Sequence, residues 1–480
     1  MKRYVIYILM FMLWYDAAAQ PSLSLYYMES VPQSSLLNPA HQPRCNMFIT
    51  VASMSLHTET NIKASKLYSK TNDKWNFITD KDFDYSDLRR RFKRGARLNN
   101  QWSVELGNVG WRDRNGYWSI GISERFEASM ALPSALFTML DKGLPDGTRL
   151  EFNSLRINAQ AYHEFAVGYS LKLTEELTVG ARAKYLSGIT AVRTDIPRFN
   201  VNTGRDQWNI DIDASISASF PIEVHTDADG SISIDSIEMK EMDLREALSF
   251  ALPGIRNPGA AVDLGMEYSF NKNFRVSAAV TDLGLIFWTG ETNTVKANGA
   301  FAYTGPEIDL DEFFDGTDMG ELLTDLGDSV KNSLTTSVAH KFFTTGVHPN
   351  IYIGGEYTPL HFLNLGLVSR TTFWKSSVSQ NFNFSINVVP YKFFSLTTGM
   401  NIDVKGCCTA NFGFSLKLGP LQYYLMTNGL PVAYRKYNID GDKIFAPNNV
   451  CDFNISTGLN LIFGAKGFKD KPMINTYSEF

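Results

Sequence analysis

Gln207-Trp208-Asn209-Ile210-Asp211-Ile212-Asp213-Ala214-Ser215-Ile216-Ser217-Ala218-Ser219-Phe220-Pro221-Ile222 decides the fold. Every even position is apolar, and every odd position is polar except Pro221. Side chains alternate across a strand with a period of two, so this stretch is a strand with one apolar and one polar face. Its 16 residues exceed the usual strand of about 5–6. They suit a tilted membrane strand of about 9–11 that continues past the bilayer.

The same alternation recurs along the chain. Cys408, Ala410, Phe412, Phe414, Leu416 and Leu418 oppose Thr409, Asn411, Gly413, Ser415 and Lys417. Val378, Phe382, Phe384, Ile386 and Val388 oppose Ser379, Asn381, Asn383, Ser385 and Asn387. Leu177, Val179, Ala181, Ala183 and Tyr185 alternate with Thr178, Gly180, Arg182 and Lys184. Short turns at Asp113–Gly116, Thr174–Glu176, Asn271–Asn273, Pro390–Lys392 and Gly419–Pro420 join strands, and Asp227–Gly230 reads as another. Longer polar connections run over Thr60–Asn100, Ser129–Ser154, Lys240–Pro258, Gly305–Ser333 and Tyr437–Asn449. Short turns at one rim and long loops at the other describe an all-β transmembrane antiparallel barrel of about 14–18 strands, traced here as about sixteen. A soluble β-sandwich would explain the alternation but not the strand length or the unbroken hairpin series. Ser134–Leu140, Leu244–Leu252 and the acidic segment bearing Phe313, Leu322, Leu326 and Val330 read as helices in long loops.

Export is expected. Met1-Lys2-Arg3, an apolar run from Tyr4 to Tyr15 and Ala17-Ala18-Ala19 have the order of a secretory signal peptide, cleaved after Ala19. Beyond it no run of about 18 apolar residues offers a membrane helix. Any membrane crossing must therefore use a closed barrel, which satisfies all backbone groups in lipid. Aromatics at 13% with charge at 20% fit a chain that hides apolar content in alternation. The expected location is the outer membrane of a Gram-negative bacterium. A net charge of −5 argues against a nucleic-acid partner.

Chemistry is not indicated, and neither cofactor nor metal is expected. His163-Glu164 begins a zinc-protease motif, but Val167 replaces its second histidine. His225-Thr226-Asp227-Ala228-Asp229-Gly230 resembles part of a calcium loop that lacks its first acid and carries Ser236 at the twelfth position. The basic run Arg89, Arg90, Arg91, Lys93, Arg94 and Arg97 falls in the first long loop. It could meet lipopolysaccharide phosphates or pair with Asp80, Asp82, Asp84 and Asp87. Four cysteines are too few for a disulfide framework. Tracing puts Cys45 and Cys451 at opposite rims, and Cys407, Cys408 and Cys451 at one. The reach of a disulfide therefore allows Cys407 or Cys408 to bond Cys451.

Two motifs carry a family likeness: Leu37-Asn38-Pro39-Ala40 before the first strand, and Val280-Thr281-Asp282-Leu283-Gly284-Leu285-Ile286-Phe287-Trp288 at the end of a later one. With the hairpin series they resemble the FadL-like outer-membrane barrels of Bacteroidota. That group includes long-chain fatty-acid transporters and PorV-type barrels, and the nearest likeness is to an uncharacterised family within it. The resemblance implies a signal peptide at 1–19, a lumenal hatch over 20–44 that carries Asn38, Pro39 and Ala40, a barrel over 45–464 and a tail at 465–480. The residues alone read Asn38-Pro39 equally as a turn. Asp282 breaks the apolar face set by Phe274, Val276, Ala278 and Val280, so it is expected to face inward through a bulge, hydrogen-bonded or lining a path. The resemblance implies passive passage of a small hydrophobic or amphipathic molecule. The alternative is a non-catalytic scaffold in outer-membrane lipid that docks partner outer-membrane proteins.

Overall fold

The computed structural model describes residues 21–71, 74–77, 83–142, 146–205, 207–220, 222–224, 237–239, 254, 256–303, 335–375, 377–439, 442–448 and 450–464. The signal peptide, the acidic segment at 304–334, the helix read at 244–252, the partial calcium loop at 225–236 and the tail lie outside them.

Fourteen antiparallel strands close a ring. They are β1 (Met47–Thr60), β2 (Ala96–Arg112), β3 (Gly116–Leu132), β4 (Arg156–Lys172), β5 (Leu177–Asn202), β6 (Pro258–Ser269) and β7 (Phe274–Trp288). The second half is β8 (Asn350–Leu360), β9 (Leu363–Trp374), β10 (Ser377–Tyr391), β11 (Phe394–Asp403), β12 (Cys408–Leu418), β13 (Leu421–Pro431) and β14 (Asp452–Phe463). Each strand pairs with the next, and β14 closes on β1 with Phe48 opposite Ile462. Closure removes the free edges that an open sheet would leave unpaired.

The alternation faces the way a bilayer requires. On β10, Ser379, Asn381, Asn383, Ser385 and Asn387 are buried, while Val378, Phe382 and Phe384 are exposed. Leu264, Ile353, Leu367 and Phe412 continue this outward apolar surface on other strands. Among the described residues, buried polar side chains outnumber buried apolar ones, the inverse of a water-soluble core. An apolar exterior around a polar lumen is stable only where hydrocarbon covers the outside. No described helix is long and apolar enough to cross a membrane.

The strand that opened the sequence reading stands outside the ring. β5 runs for 26 residues, and its two halves take different partners. Leu177–Ser187 pairs with β6, whereas Ala191–Asn202 pairs with Trp208–Ser219. The latter strand pairs with Thr292–Tyr303, which pairs with Thr335–Ala339. These strands rise above the ring as a collar on the long-loop side, and the ring's 14 strands lie at the lower end of the 14–18 expected. Helix α1 (Ser86–Arg91) and helix α2 (Ser134–Lys142) cap the same end, joined by Phe83, Leu88, Phe92 and Phe137. The helix read at Ser134–Leu140 is therefore present. Cys407 bonds Cys451 with Cα atoms 6.0 Å apart at this rim, while Cys45 and Cys408 are free.

Candidate lumenal site

Residues 21–46 enter the lumen from the short-turn side before β1 begins. Leu23–Leu25 and Pro32–Leu36 form short 3₁₀ turns. Leu23, Leu25, Tyr26, Met28, Val31 and Leu37 bury against Ala279, Tyr352, Val368, Tyr424 and Met426 of the wall. Polar contacts fix the register. Ser22 Oγ and Ser24 Oγ donate to Asn428 Oδ1 at 2.8 and 2.5 Å. Gln33 Nε2 donates to Thr50, Glu105 and Asn460 at 3.0–3.1 Å.

Two glycine pairs let this segment touch the wall backbone. Gly180 and Gly265 face each other across β5 and β6. A Cβ on Gly265 would lie 2.0 Å from Asn38 Oδ1, and one on Gly180 would lie 2.1 Å from the Pro39 carbonyl oxygen. Only a wall without side chains admits the Asn38-Pro39-Ala40 turn there. Gly354 and Gly366 form a second hollow, in which Tyr27 lies with its hydroxyl donating to the Leu367 carbonyl at 3.1 Å. Asn38 is fully buried: its Oδ1 accepts from Ala40 N at 2.9 Å, and its Nδ2 donates to the Tyr26 hydroxyl at 3.2 Å. The turn and the lumenal placement thus coexist at these residues.

An ionic latch holds the mouth. Arg275 contacts Glu29, Glu267 and Glu356, and Arg44 also binds Glu29. Burial would raise the Glu29 carboxyl, but the charges of Arg275 and Arg44 outweigh it and hold Glu29 well below its ordinary range. His41 sits 3.6 Å from Glu267, yet burial and then the Arg275 charge push it down to about 4.

Asp282 lies above the segment. Between Val262↔Leu283 and Leu264↔Val280, Thr281 and Asp282 oppose Asp263 alone, which is a bulge. Asp282 takes φ 60°, a left-handed conformation that Asp tolerates better than most residues. Its backbone N–H donates to Asp263 Oδ1 at 2.7 Å, and Lys184 Nζ donates to its Oδ1 at 2.6 Å. Lys184 also reaches Asp263 at 2.9 Å and Glu164 at 3.6 Å. Arg125 bridges Glu164 and Asp282, and Arg182 reaches Asp263. Three cations meet three carboxylates in a buried layer whose members need one another. Arg182 also donates to the Ser35 carbonyl at 3.2 Å, tying this layer to the lumenal segment.

On the long-loop side of the layer is a cavity of about 230 Å³, lined by residues of β3, β4, β5, β9 and the stretch 344–348. Three smaller cavities hold about 10–40 Å³.

The basic run does not act as one unit. Arg89 pairs with Asp141 of α2, and Arg90 lies 3.9 Å from Asp87, which also binds Lys66. Arg97 starts β2, while Arg91, Lys93 and Arg94 are exposed. Asp80 and Asp82 lie outside the described residues. Sequence reading missed the latch, the glycine hollows and the cavity. For the charged layer the signals were Asp282, which breaks an apolar face, and Arg182 and Lys184, cations on the polar face of an alternating strand.

A family model described as a family of unknown function (DUF5723) matches residues 39–428. No curated protein matches the sequence. Solved structures similar to this chain include the toluene transporter TbuX of Ralstonia pickettii, at 8% identity and a TM-score of 0.42 over 90% of this chain and 94% of that one. The toluene transporter TodX of Pseudomonas putida gives 8% and 0.41 over 91% and 95%. A FadL homologue of Pseudomonas aeruginosa gives 8% and 0.41 over 91% and 94%. Similarity at this level says nothing of substrate.

Proposed function

The chain belongs to the DUF5723 family of unknown function, and from that premise we propose that it is an exported outer-membrane barrel that passes a small amphipathic compound without chemistry, closed at rest by its own N-terminal segment. One observation supports this reading: residues 21–46 bury against the inner wall through hydrogen bonds, ion pairs and apolar contacts among the described residues. A plug built from wall residues could not move without breaking the barrel. This one can withdraw toward the short-turn side, because among the described residues it joins the wall covalently at β1 alone.

The cavity above the charged layer then serves as the outer vestibule. Its lining mixes apolar Val192, Val347 and Phe373 with polar Asn158 and Gln160, which suits a compound with both characters. Arg91, Lys93 and Arg94, exposed at the same rim, would then bind lipopolysaccharide phosphates.

Uptake into proteoliposomes tests the reading. Small amphipathic probes should enter faster than into protein-free vesicles, with a rate that saturates and needs no energy source. Entry at the protein-free rate for every probe would refute passive transport.

A further inference from the structure

The vestibule is rich in donors and short of acceptors. Arg193 and Lys375 bring two cationic groups to its lining. Its carboxylate, Glu127, is already engaged, accepting from Gln160 Nε2 and the Tyr162 hydroxyl at 2.9 Å and contacting His348 Nδ1 at 2.6 Å. For hydrogen bonds the two cations have neutral acceptors among the described residues: Arg193 donates to the Thr344 carbonyl at 3.1 Å and Lys375 to Asn158 Oδ1 at 3.0 Å, while the Asp195 carboxylate acts on Lys375 through its charge alone. Two further donors, Trp374 Nε1 and Asn158 Nδ2, are buried with no partner among the described residues. Buried donors without acceptors are costly, so the site lacks an acceptor group rather than another donor.

The charge balance agrees. Desolvation first, and then the Arg193 charge, push the half-exposed Lys375 down to about 8; the Asp195 carboxylate opposes this, and Arg156 adds a smaller push downward. An anion beside Lys375 would offset the Arg193 charge and favour the charged ammonium. The walls add a second requirement. Trp374 packs on the His348 ring with centroids 4.8 Å apart, and Val192 and Val347 supply apolar surface. A volume of about 230 Å³ is below the ~300–1,000 Å³ of drug-sized sites, so it takes one ring and not a long chain.

We propose that this cavity binds a small aromatic carboxylate, its anionic group between Arg193 and Lys375 and its ring against Trp374 and His348. The transport meaning of the site rests on the plugged-barrel reading, but binding itself does not. Both cations offer charge-assisted hydrogen bonds, which are stronger than neutral ones and fit the planar carboxylate.

Calorimetric titration of the purified barrel in detergent tests this with benzoate, benzylamine and propionate. Benzoate should bind one to one, and benzylamine and propionate at least tenfold more weakly. Arg193→Gln and Lys375→Gln should each weaken benzoate by about 10- to 100-fold, the range for a hydrogen bond to a charged group. Heat-modifiable mobility reports folding. If Arg193→Gln does not fold, Lys375→Gln carries the test, since Lys375 lies in a loop beyond β9. Absence of benzoate binding, equal binding of benzylamine, or undiminished binding by the Lys375 variant overturns the proposal. Benzoate binding without uptake would instead overturn the transport reading and leave the site standing.

Discussion

Filling the Gly180/Gly265 hollow should release the N-terminal segment while leaving the wall intact. In Gly180→Ala/Gly265→Ala the new methyl on residue 265 would sit 2.0 Å from Asn38 Oδ1, where ordinary contact starts near 3.4 Å. The segment must then withdraw by the difference, about 1.4 Å, because the other side of the clash is strand backbone. That movement breaks Ser170 Oγ to the Ala40 carbonyl, Gln42 Nε2 to Ser170 Oγ and Arg182 to the Ser35 carbonyl. At about 0.5–1.5 kcal/mol each, the loss is about 1.5–4.5 kcal/mol, or roughly 10- to 2,000-fold in the docking equilibrium. Neither glycine has positive φ, so alanine suits both strands and should help them by about 0.5–1 kcal/mol. Hydrogen exchange read by mass spectrometry separates the two effects. Exchange in peptides from 21–44 should accelerate by that factor, with β5 and β6 unchanged. Unchanged exchange in 21–44 would refute the close-contact argument, and loss of protection throughout β5 and β6 would show that the glycines serve the wall.

Three further outcomes follow from the lumen and rim. Lys184→Met leaves Asp263, Asp282 and Glu164 short of a cation and should destabilise the barrel by about 3–5 kcal/mol, measured by urea-dependent loss of heat-modifiable mobility; Lys184→Met/Asp282→Asn should recover part of it. Docking should weaken as pH falls from about 6.5 to 4, because released His41 takes a proton near its ordinary value whereas docked His41 resists until about 4. Glu29 works in the same direction, its contribution fading as pH falls through the carboxylate range, and His41→Gln should flatten the upper part of the profile in exchange measurements. Thiol counting under denaturing, non-reducing conditions should find two free thiols, Cys45 and Cys408, and peptide mapping should find Cys407 joined to Cys451.

The barrel was legible because lipid and water read the same period. Asn381, Asn383 and Asn387 on one face and Val378, Phe382 and Phe384 on the other state both the strand and its orientation once a membrane is assumed. Asp282 announced its bulge by breaking an apolar face. Strand number was harder, since the division of β5 between β6 and Trp208–Ser219 is a matter of register, and Gln207–Ile222 looks locally like any other wall strand. The lumenal contacts were out of reach for a related reason. Gly180 and Gly265 become one hollow only when β5 pairs with β6, and Arg193, Lys375 and Trp374 share a cavity only after the ring closes. Tracing the rims narrowed the cysteine pairing but left Cys407 and Cys408 equivalent, because adjacent residues differ only in which way each side chain points.

The most direct test of a plugged transport barrel is to lock the plug. Ser22 Oγ donates to Asn428 Oδ1 at 2.8 Å, so Ser22→Cys/Asn428→Cys puts one thiol on the segment and one on the wall within reach of a short, reducible bis-thiol cross-linker. Uptake of a small amphipathic probe into proteoliposomes should fall to the protein-free rate in the locked form. It should return on reduction, with the unsubstituted protein under the same reductant controlling for Cys407–Cys451. Equal uptake by locked and reduced forms, with the cross-link verified, would contradict the claim that this segment closes the path.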